Sequence, residues 1–384
     1  EYESGLRKFV NPELVFGSGA RSLAGRYAKN LGARKVLVVS DPGIHSSGWI
    51  EEVTTSIESV GIPFTIFTAV SPNPRAEEVM NGAEVYLSEH CNMIVAVGGG
   101  SPLDCAKGIG IVSSNGNHIL DYQGIDKIPL PMPPLICIPT TGVSADVSQF
   151  AVILDRQQKL KVLIGSKSVV SDVALIDPDT MTTMSPHLLA CTSLDALTHA
   201  IEAFVSNAHS PMTDIHALES ISLITSNLLP AIKDPTNLAA RGQIMLGSLE
   251  AGLAFSNAIL GATHSLAHSL GGFLDLPHGE CTTIFLKHVM AFNFSAATDR
   301  YRRIGETMGL DLRGMGSSEI QKAILSNVEA LQKAVGIDLR LAQLGVNHSD
   351  ISLLARNALH DPCLATNPRR TNQRDLEVLY EEAF

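Results

Sequence analysis

Short β-branched runs alternate with helix-length stretches through the first half of the chain, and the alternation stops near residue 182. The runs are Lys35–Ser40, Phe64–Phe67, Met93–Val97, Leu135–Ile138 and Val173–Ile176, with helical patterns such as Trp49–Val60 and Arg75–Glu89 between the early ones. Parallel strands need a crossover between them, and a helix is the usual one, so this rhythm predicts βαβ units in a parallel sheet. Phe150–Leu154 and Leu160–Ile164 flank a polar turn, Asp155–Lys159, and read as an antiparallel pair. From Pro186 onward the texture is different. Leu188–Val205, Met212–Asn227, Arg241–Ser256 and Ser317–Val335 carry Ala and Leu at the 3.6-residue period of helices. The fold expectation is therefore an α/β domain with a Rossmann-like parallel sheet over 1–182 and an all-α domain over 183–384.

A chain of 384 residues has room for about two to three domains of roughly 150 residues and a sizeable core. With 45% apolar and 17% charged residues, it is neither disordered nor fibrous. No uninterrupted apolar run reaches the ~18 residues of a membrane span, so no membrane partner is expected. The net charge of −11, with basic residues scattered apart from Arg369–Arg370, lacks the basic stripe that neutralises phosphates, so no nucleic acid is expected either. Cys91, Cys105, Cys137, Cys191, Cys281 and Cys363 lie far apart and without CxxC spacing. That usage, with a polar opening from Glu1 that shows no secretory leader, predicts reduced thiols in a cytoplasmic enzyme.

The segment Val97-Gly98-Gly99-Gly100-Ser101-Pro102-Leu103-Asp104 runs from a strand through three glycines into a helix, with Ser101 read as N-cap and Pro102 as the first helical residue. Glycines let backbone N–H groups approach a ligand, and the helix N-terminus adds orphan donors and partial positive charge, a combination suited to phosphate. It is neither a Walker loop nor a GxGxxG fingerprint, and a plain strand-to-helix turn is the competing reading.

Asp195 and His199 are four residues apart, and so are His264 and His268; His278 follows in a Gly/Pro-bounded turn. Residues at i and i+4 share a helix face. Each piece alone reads as a helix-face hydrogen bond or a core histidine. Together, one carboxylate and several imidazoles in the helical half suit a borderline divalent ion such as Fe²⁺ or Zn²⁺. Neither GxSxG nor HExxH occurs, so a serine hydrolase and a zincin-type protease lack support. A phosphate-binding turn in one half and a histidine-rich site in the other predict a dinucleotide and a metal meeting in the cleft between them.

In combination and order these segments resemble the iron-containing (group III) alcohol dehydrogenases along nearly the whole chain. The resemblance rests on Gly98–Ser101 with Asp104 and Lys107, on Pro139-Thr140-Thr141, and on Asp195–Glu202 (DALTHAIE). It continues through His264–Gly272 and Pro277-His278-Gly279. It implies Asp195, His199, His264 and His278 as ligands of Fe²⁺, with Zn²⁺ possible, and His268 beside nicotinamide and substrate as proton relay. Gly98, Gly99, Gly100 and Ser101 would hold the pyrophosphate of NAD, with Asp104, Thr140, Thr141 and Lys161 also on the cofactor. Phe255 would line the substrate pocket; apart from the resemblance, Phe150 is read as part of its apolar surroundings, which suit a short, largely aliphatic substrate. Asp41 matches the acid that favours NAD by repelling a 2′-phosphate, and a turn residue before Pro42 is its other reading. The implied reaction is metal-dependent hydride transfer between NAD(H) and a small primary alcohol/aldehyde pair. A homo-oligomer is expected on general grounds, since most soluble oligomers are symmetric assemblies of one chain.

The chain departs from the family at Pro139–Ser148. PTTGVSADVS stands where PTTAGTGSEVT is usual, one residue shorter and with Asp146 for Glu. Two other readings are carried forward. A dehydroquinate-synthase-type NAD- and metal-dependent lyase would need several Lys or Arg in the cleft, for which Lys161 and Lys287 are the visible candidates. A non-catalytic NAD- or metal-binding sensor would keep the fold alone.

Overall fold

Val36 and Val38 pack into one buried cluster and Leu37 and Val39 into another, so this strand sends alternate side chains to opposite faces of a sheet covered on both sides. The computed structural model describes residues 6–142 and 144–384; Glu1 with the start of the polar opening, and Val143 of the departing loop, lie outside the described residues. In chain order the strands are β1 (Glu13–Phe16), β2 (Val36–Val39), β3 (Phe64–Phe67), β4 (Met93–Gly98), β5 (Gly124–Ile125), β6 (Leu135–Pro139), β7 (Phe150–Asp155), β8 (Leu160–Gly165) and β9 (Val173–Ile176).

Six of them form one parallel sheet in the order β1-β9-β6-β4-β2-β3. Its registers pair Val36 with both Phe64 and Met93, and Ile94 with Leu135. The first helices are α1 (Ala24–Asn30), α2 (Pro42–His45), α3 (Trp49–Ser59), α4 (Ala76–Ser88) and α5 (Gly100–Asn115). α1 and α3 cover one face with Ala24, Ala28, Ile50, Val53 and Ile57; α4 and α5 cover the other with Val79, Ala83, Leu103 and Ile109. The chain passes from β2 outward to β3 and then returns to β4 on the opposite side of β2, so the order of winding reverses between β2 and β4. In an open α/β sheet that reversal leaves a crevice at the strands' carboxyl ends.

The smaller sheet, in the order β5-β8-β7, contains the expected antiparallel pair, with Ala151 opposite Ile164. β1 and β5 were not legible in the sequence: β1 is four residues on the sheet edge with its end residues exposed, and β5 has two residues.

Beyond Ile176 the described chain is helical: α6 (Pro186–Val205), α7 (Pro211–Lys233), α8 (Leu238–Ala258), α9 (Ala262–Leu274), α10 (His278–Asn293), α11 (Thr298–Thr307), α12 (Ser317–Ala334), α13 (Ile351–Leu359) and α14 (Gln373–Glu382). Ser185 and Ser210 cap α6 and α7, each with proline at the first helical position. α6, α7, α8, α11 and α12 share one core, and α9, α10, α13 and α14 another. By length and composition α6 and α7 would each reach across a bilayer; in α6 that apolar stretch is 89% buried within the protein, in α7 33%.

Candidate active site in the cleft between sheet and helices

The carboxyl ends of β2, β4 and β6 face α6, α8, α9 and α10 across a cleft of about 910 Å³, within the range of small-molecule sites. On the sheet side Gly98 ends β4 with φ +147, and a Cβ there would stand 2.8 Å from Pro102 Cγ, so only glycine fits this turn. α5 begins at Gly100 with Gly99 as N-cap, which corrects the expected Ser101 cap: the extended backbone at Gly99 starts the helix two residues earlier. Ser101 Oγ instead donates to the Pro72 carbonyl. Gly98–Ser101 thus places the open N-terminus of a 16-residue helix on the cleft wall.

Asp41 caps α2 through Oδ1, which accepts from Ile44 N–H at 3.0 Å, while its other oxygen flanks the Gly98 turn, 3.5 Å from where a Cβ would lie. The turn reading and the ribose-acid reading are therefore compatible. The hydroxyls of Thr140 and Thr141 are buried without partners among the described residues, which is costly unless a ligand supplies them. Asp104 lines the cleft, accepts from Val152 N–H at 3.2 Å, and is pushed up to about 6 by burial despite Lys107 and Lys161 nearby. Lys107 does not reach the cleft; its buried ammonium donates to the carbonyls of Ser148 (2.9 Å) and Phe150 (2.8 Å). Lys161 does, and burial lowers its pKa against the pull of Cys281, Asp195 and Asp275.

On the helical side α6 supplies Asp195 and His199, α9 supplies His264, and His278 opens α10. One ligand atom from each of the four lies within 4.8 Å of all the others. Asp195 Oδ1 is 3.6 Å from both His264 Nε2 and His278 Nε2, and Asp195 Oδ2 is 3.8 Å from His199 Nδ1. Bonds of about 2.0–2.2 Å to one tetrahedral ion put ligand atoms roughly 3.3–3.6 Å apart, close to these separations. His199 Nδ1 and His264 Nε2 are buried with no hydrogen-bond partner among the described residues. Burial depresses His199 to about 4 and His278 well below its ordinary value, so both present neutral imidazoles able to ligate. Burial would depress His264 too, but the carboxylates of Asp195 and Glu202 on its two sides carry it up to about 9. Against burial, the surrounding histidines hold Asp195 well below the usual carboxylate range. The pocket thus favours one positive charge at its centre, and its donors fit a divalent metal.

Family models describing iron-containing alcohol dehydrogenase and the C-terminal domain of that family match residues 11–178 and 189–384. The chain belongs to the iron-containing alcohol dehydrogenases. It is 36% identical to an NAD-dependent methanol dehydrogenase of Bacillus methanolicus over 98% of this chain and 99% of that protein. To a 1,3-propanediol dehydrogenase of Citrobacter freundii it is 37% identical, over 96% of each. A crystal structure of a 1,3-propanediol oxidoreductase superposes with a TM-score of 0.95 at 35% identity, covering 99% of this chain and all of that one. As an iron-containing alcohol dehydrogenase, the chain is an oxidoreductase of alcohol/aldehyde pairs that works with a nicotinamide dinucleotide and a metal.

Three partners of the dehydrogenase site have no role in the sequence reading. Glu202 Oε2 is 2.6 Å from His264 Nδ1, and Thr282 Oγ1 donates to Asp195 Oδ1 at 2.8 Å. Asp361 Oδ2 accepts from His268 Nδ1 at 2.8 Å. Glu202 was readable, since it lies seven residues after Asp195 on the same helix face. Asp361, 93 residues from His268, gave no signal. His268 lies in the cleft with its ring 5.3 Å from that of His278. Phe150 and Phe255 line the cleft, stacked at 6.0 Å, and Phe255 also stacks on His199 at 4.6 Å. Beside them, Ile259 holds φ 62 and ψ −164, a conformation costly for a β-branched residue. Lys287 pairs with Glu329 at 3.3 Å and does not line the cleft, a correction to its reading as a site cation.

Proposed function

We propose that this enzyme oxidises short, largely aliphatic primary alcohols, and reduces the matching aldehydes, with NAD(H) and Fe²⁺. One observation carries the reading: the Gly98–Ser101 turn and the Asp195/His199/His264/His278 cluster open onto the same cleft. When bound, the metal polarises the oxygen of alcohol or aldehyde, and the nicotinamide takes or returns the hydride.

The chain's own residues do the rest. Asp41 sets a carboxylate beside the turn, which favours NAD over a cofactor bearing a 2′-phosphate. Thr140 and Thr141 offer unpartnered hydroxyls to the cofactor. Asp361, held ionised against burial by His268, can only accept, so it fixes the proton on His268 Nδ1 and leaves Nε2 free to take the proton that the alcohol loses. Phe150, Phe255 and Leu260 give an apolar wall that excludes water and suits an aliphatic substrate. Lys161 is the one Lys or Arg among the described residues lining the cleft, which disfavours the phosphorylated polyol of the lyase reading.

We keep the division near residue 182: the sheet ends at Ile176 and α6 begins at Pro186. Six unpaired, buried cysteines support a reducing, cytoplasmic setting. Met212 and Ile215, 53% and 69% exposed on the first turns of α7, support a homo-oligomer contact.

The test is NADH formation, followed by absorbance, with a panel of short primary alcohols and diols. Anaerobically purified protein is stripped with chelator and reloaded in parallel with Fe²⁺ or Zn²⁺. The proposal expects activity with NAD restored by Fe²⁺. Silence across the panel, while NAD and metal still bind, overturns it.

A further inference from the structure

α6 carries His187, Cys191, Asp195 and His199 at successive four-residue steps, so a single face of this helix presents two pairs of metal-ligating side chains. The inner pair belongs to the cluster already described. The outer pair meets Glu280 from the first turn of α10. His187 Nε2 is 3.0 Å from Glu280 Oε1 and 3.6 Å from Cys191 Sγ, and the three donor atoms all lie within 4.8 Å of one another. One ion with bonds of about 2.0–2.1 Å to nitrogen and oxygen and about 2.3 Å to sulfur separates such donors by roughly 3.3–3.6 Å. The approach depends on Gly279, where a Cβ would stand 2.9 Å from the Cys191 carbonyl oxygen; a side chain there would push α10, and Glu280 with it, away from α6.

Exposure grades along the face in the same sense. The His187 side chain is 60% exposed, Glu280 23% and Asp195 13%. At about 1.5 Å of rise per residue the outer pair lies on the order of 12 Å from the inner one, toward solvent. His187, Cys191 and Glu280 all line the same cleft.

We propose that His187, Cys191 and Glu280 form a second transition-metal site at the mouth of the cleft, taking a thiophilic divalent cation of the Zn²⁺ class, and that its occupant obstructs the cleft. An imidazole, a thiolate and a carboxylate leave one position for water, and the Cys191 thiol gives up its proton to solvent as the cation binds. The inner cluster has no sulfur, so the two sites differ in a way that spectroscopy reads directly.

Co²⁺ titrated into the holoenzyme, its inner site already filled, produces a thiolate-to-cobalt charge-transfer band in the near ultraviolet with one further equivalent bound. Cys191→Ser abolishes the band, and His187→Ala weakens the cobalt binding that it reports. No band, or an equal band in Cys191→Ser, overturns the site and leaves His187–Glu280 as a hydrogen-bonded pair beside a buried thiol. Zn²⁺ added to the iron-loaded enzyme lowers turnover in the wild type and not in His187→Ala. Equal inhibition of both places the zinc elsewhere and overturns the obstruction.

Discussion

Glu202 Oε2 stands 2.6 Å from His264 Nδ1, and the same carboxylate accepts the backbone N–H groups of Thr263 (2.7 Å) and Gly261 (3.2 Å) at the start of α9. One buried side chain of α6 therefore caps the neighbouring helix and turns His264 so that Nε2 faces Asp195. Partners that orient a ligating histidine typically contribute about 10- to 100-fold in metal affinity. Glu202→Gln should lower metal affinity by about that factor, read by competition with a chelator, with circular dichroism unchanged. Unaltered affinity would assign Glu202 to helix capping alone.

His268 and His264 are four residues apart, yet their partners differ: Asp361 for His268 and Glu202 for His264. His264→Ala should lose the metal. His268→Ala should keep it and slow turnover, because a proton relay typically contributes about 10²–10⁴-fold. Asp361→Asn should reproduce much of the His268 effect and displace the pH profile of kcat, with metal content intact by elemental analysis. Equal metal loss in the His264 and His268 variants would remove this division of roles.

On the sheet side, Gly98→Ala forces a Cβ against Pro102 at a φ of +147 and should abolish NAD binding measured by calorimetry, while the metal stays bound. Asp41→Asn should raise kcat/KM with NADP relative to NAD, because it removes the negative charge that a 2′-phosphate would meet. An unchanged cofactor ratio would leave Asp41 as the cap of α2 only.

His288 of α10, 3.8 Å from Glu382 of α14, has its pKa lowered to about 4 by burial and by the charges of Lys287 and Arg340. The unfolded chain takes this proton near pH 6.5 and the folded one only near 4, so stability is full above about 6.5 and falls as the pH drops through that window. The linkage is worth about 2 kcal/mol at pH 5. His288→Gln should lose that much less stability than the wild type between pH 7 and pH 5, measured by denaturant unfolding of the metal-loaded protein. Parallel losses would place the acid sensitivity elsewhere.

Much of this molecule was legible locally because its signals are local. A β-branched run such as Val36–Val39 must be buried on both faces, and a parallel strand is the element that satisfies that at four residues. Helix periodicity likewise put Asp195 and His199 on one face and paired His264 with His268 before any contact was known. β1 was illegible because an edge strand only half-buried in its middle, with exposed ends, carries little of the pattern. The start of α5 was displaced because Ser101 and Pro102 have good cap chemistry, while the backbone at Gly99 decides where the helix begins.

By itself the sequence determined most of the elements, the two textures of the chain and the residues able to hold a phosphate or a metal, since backbone propensity and side-chain periodicity act over a few residues. The tertiary structure decided which of those residues meet. Asp361 reaches His268 across 93 positions, and Glu280 reaches His187 across the same number. Such contacts exist because whole helices pack on one another, as where Gly279 lets α10 close on α6. That packing is a property of many distant side chains at once, and no local pattern carries it.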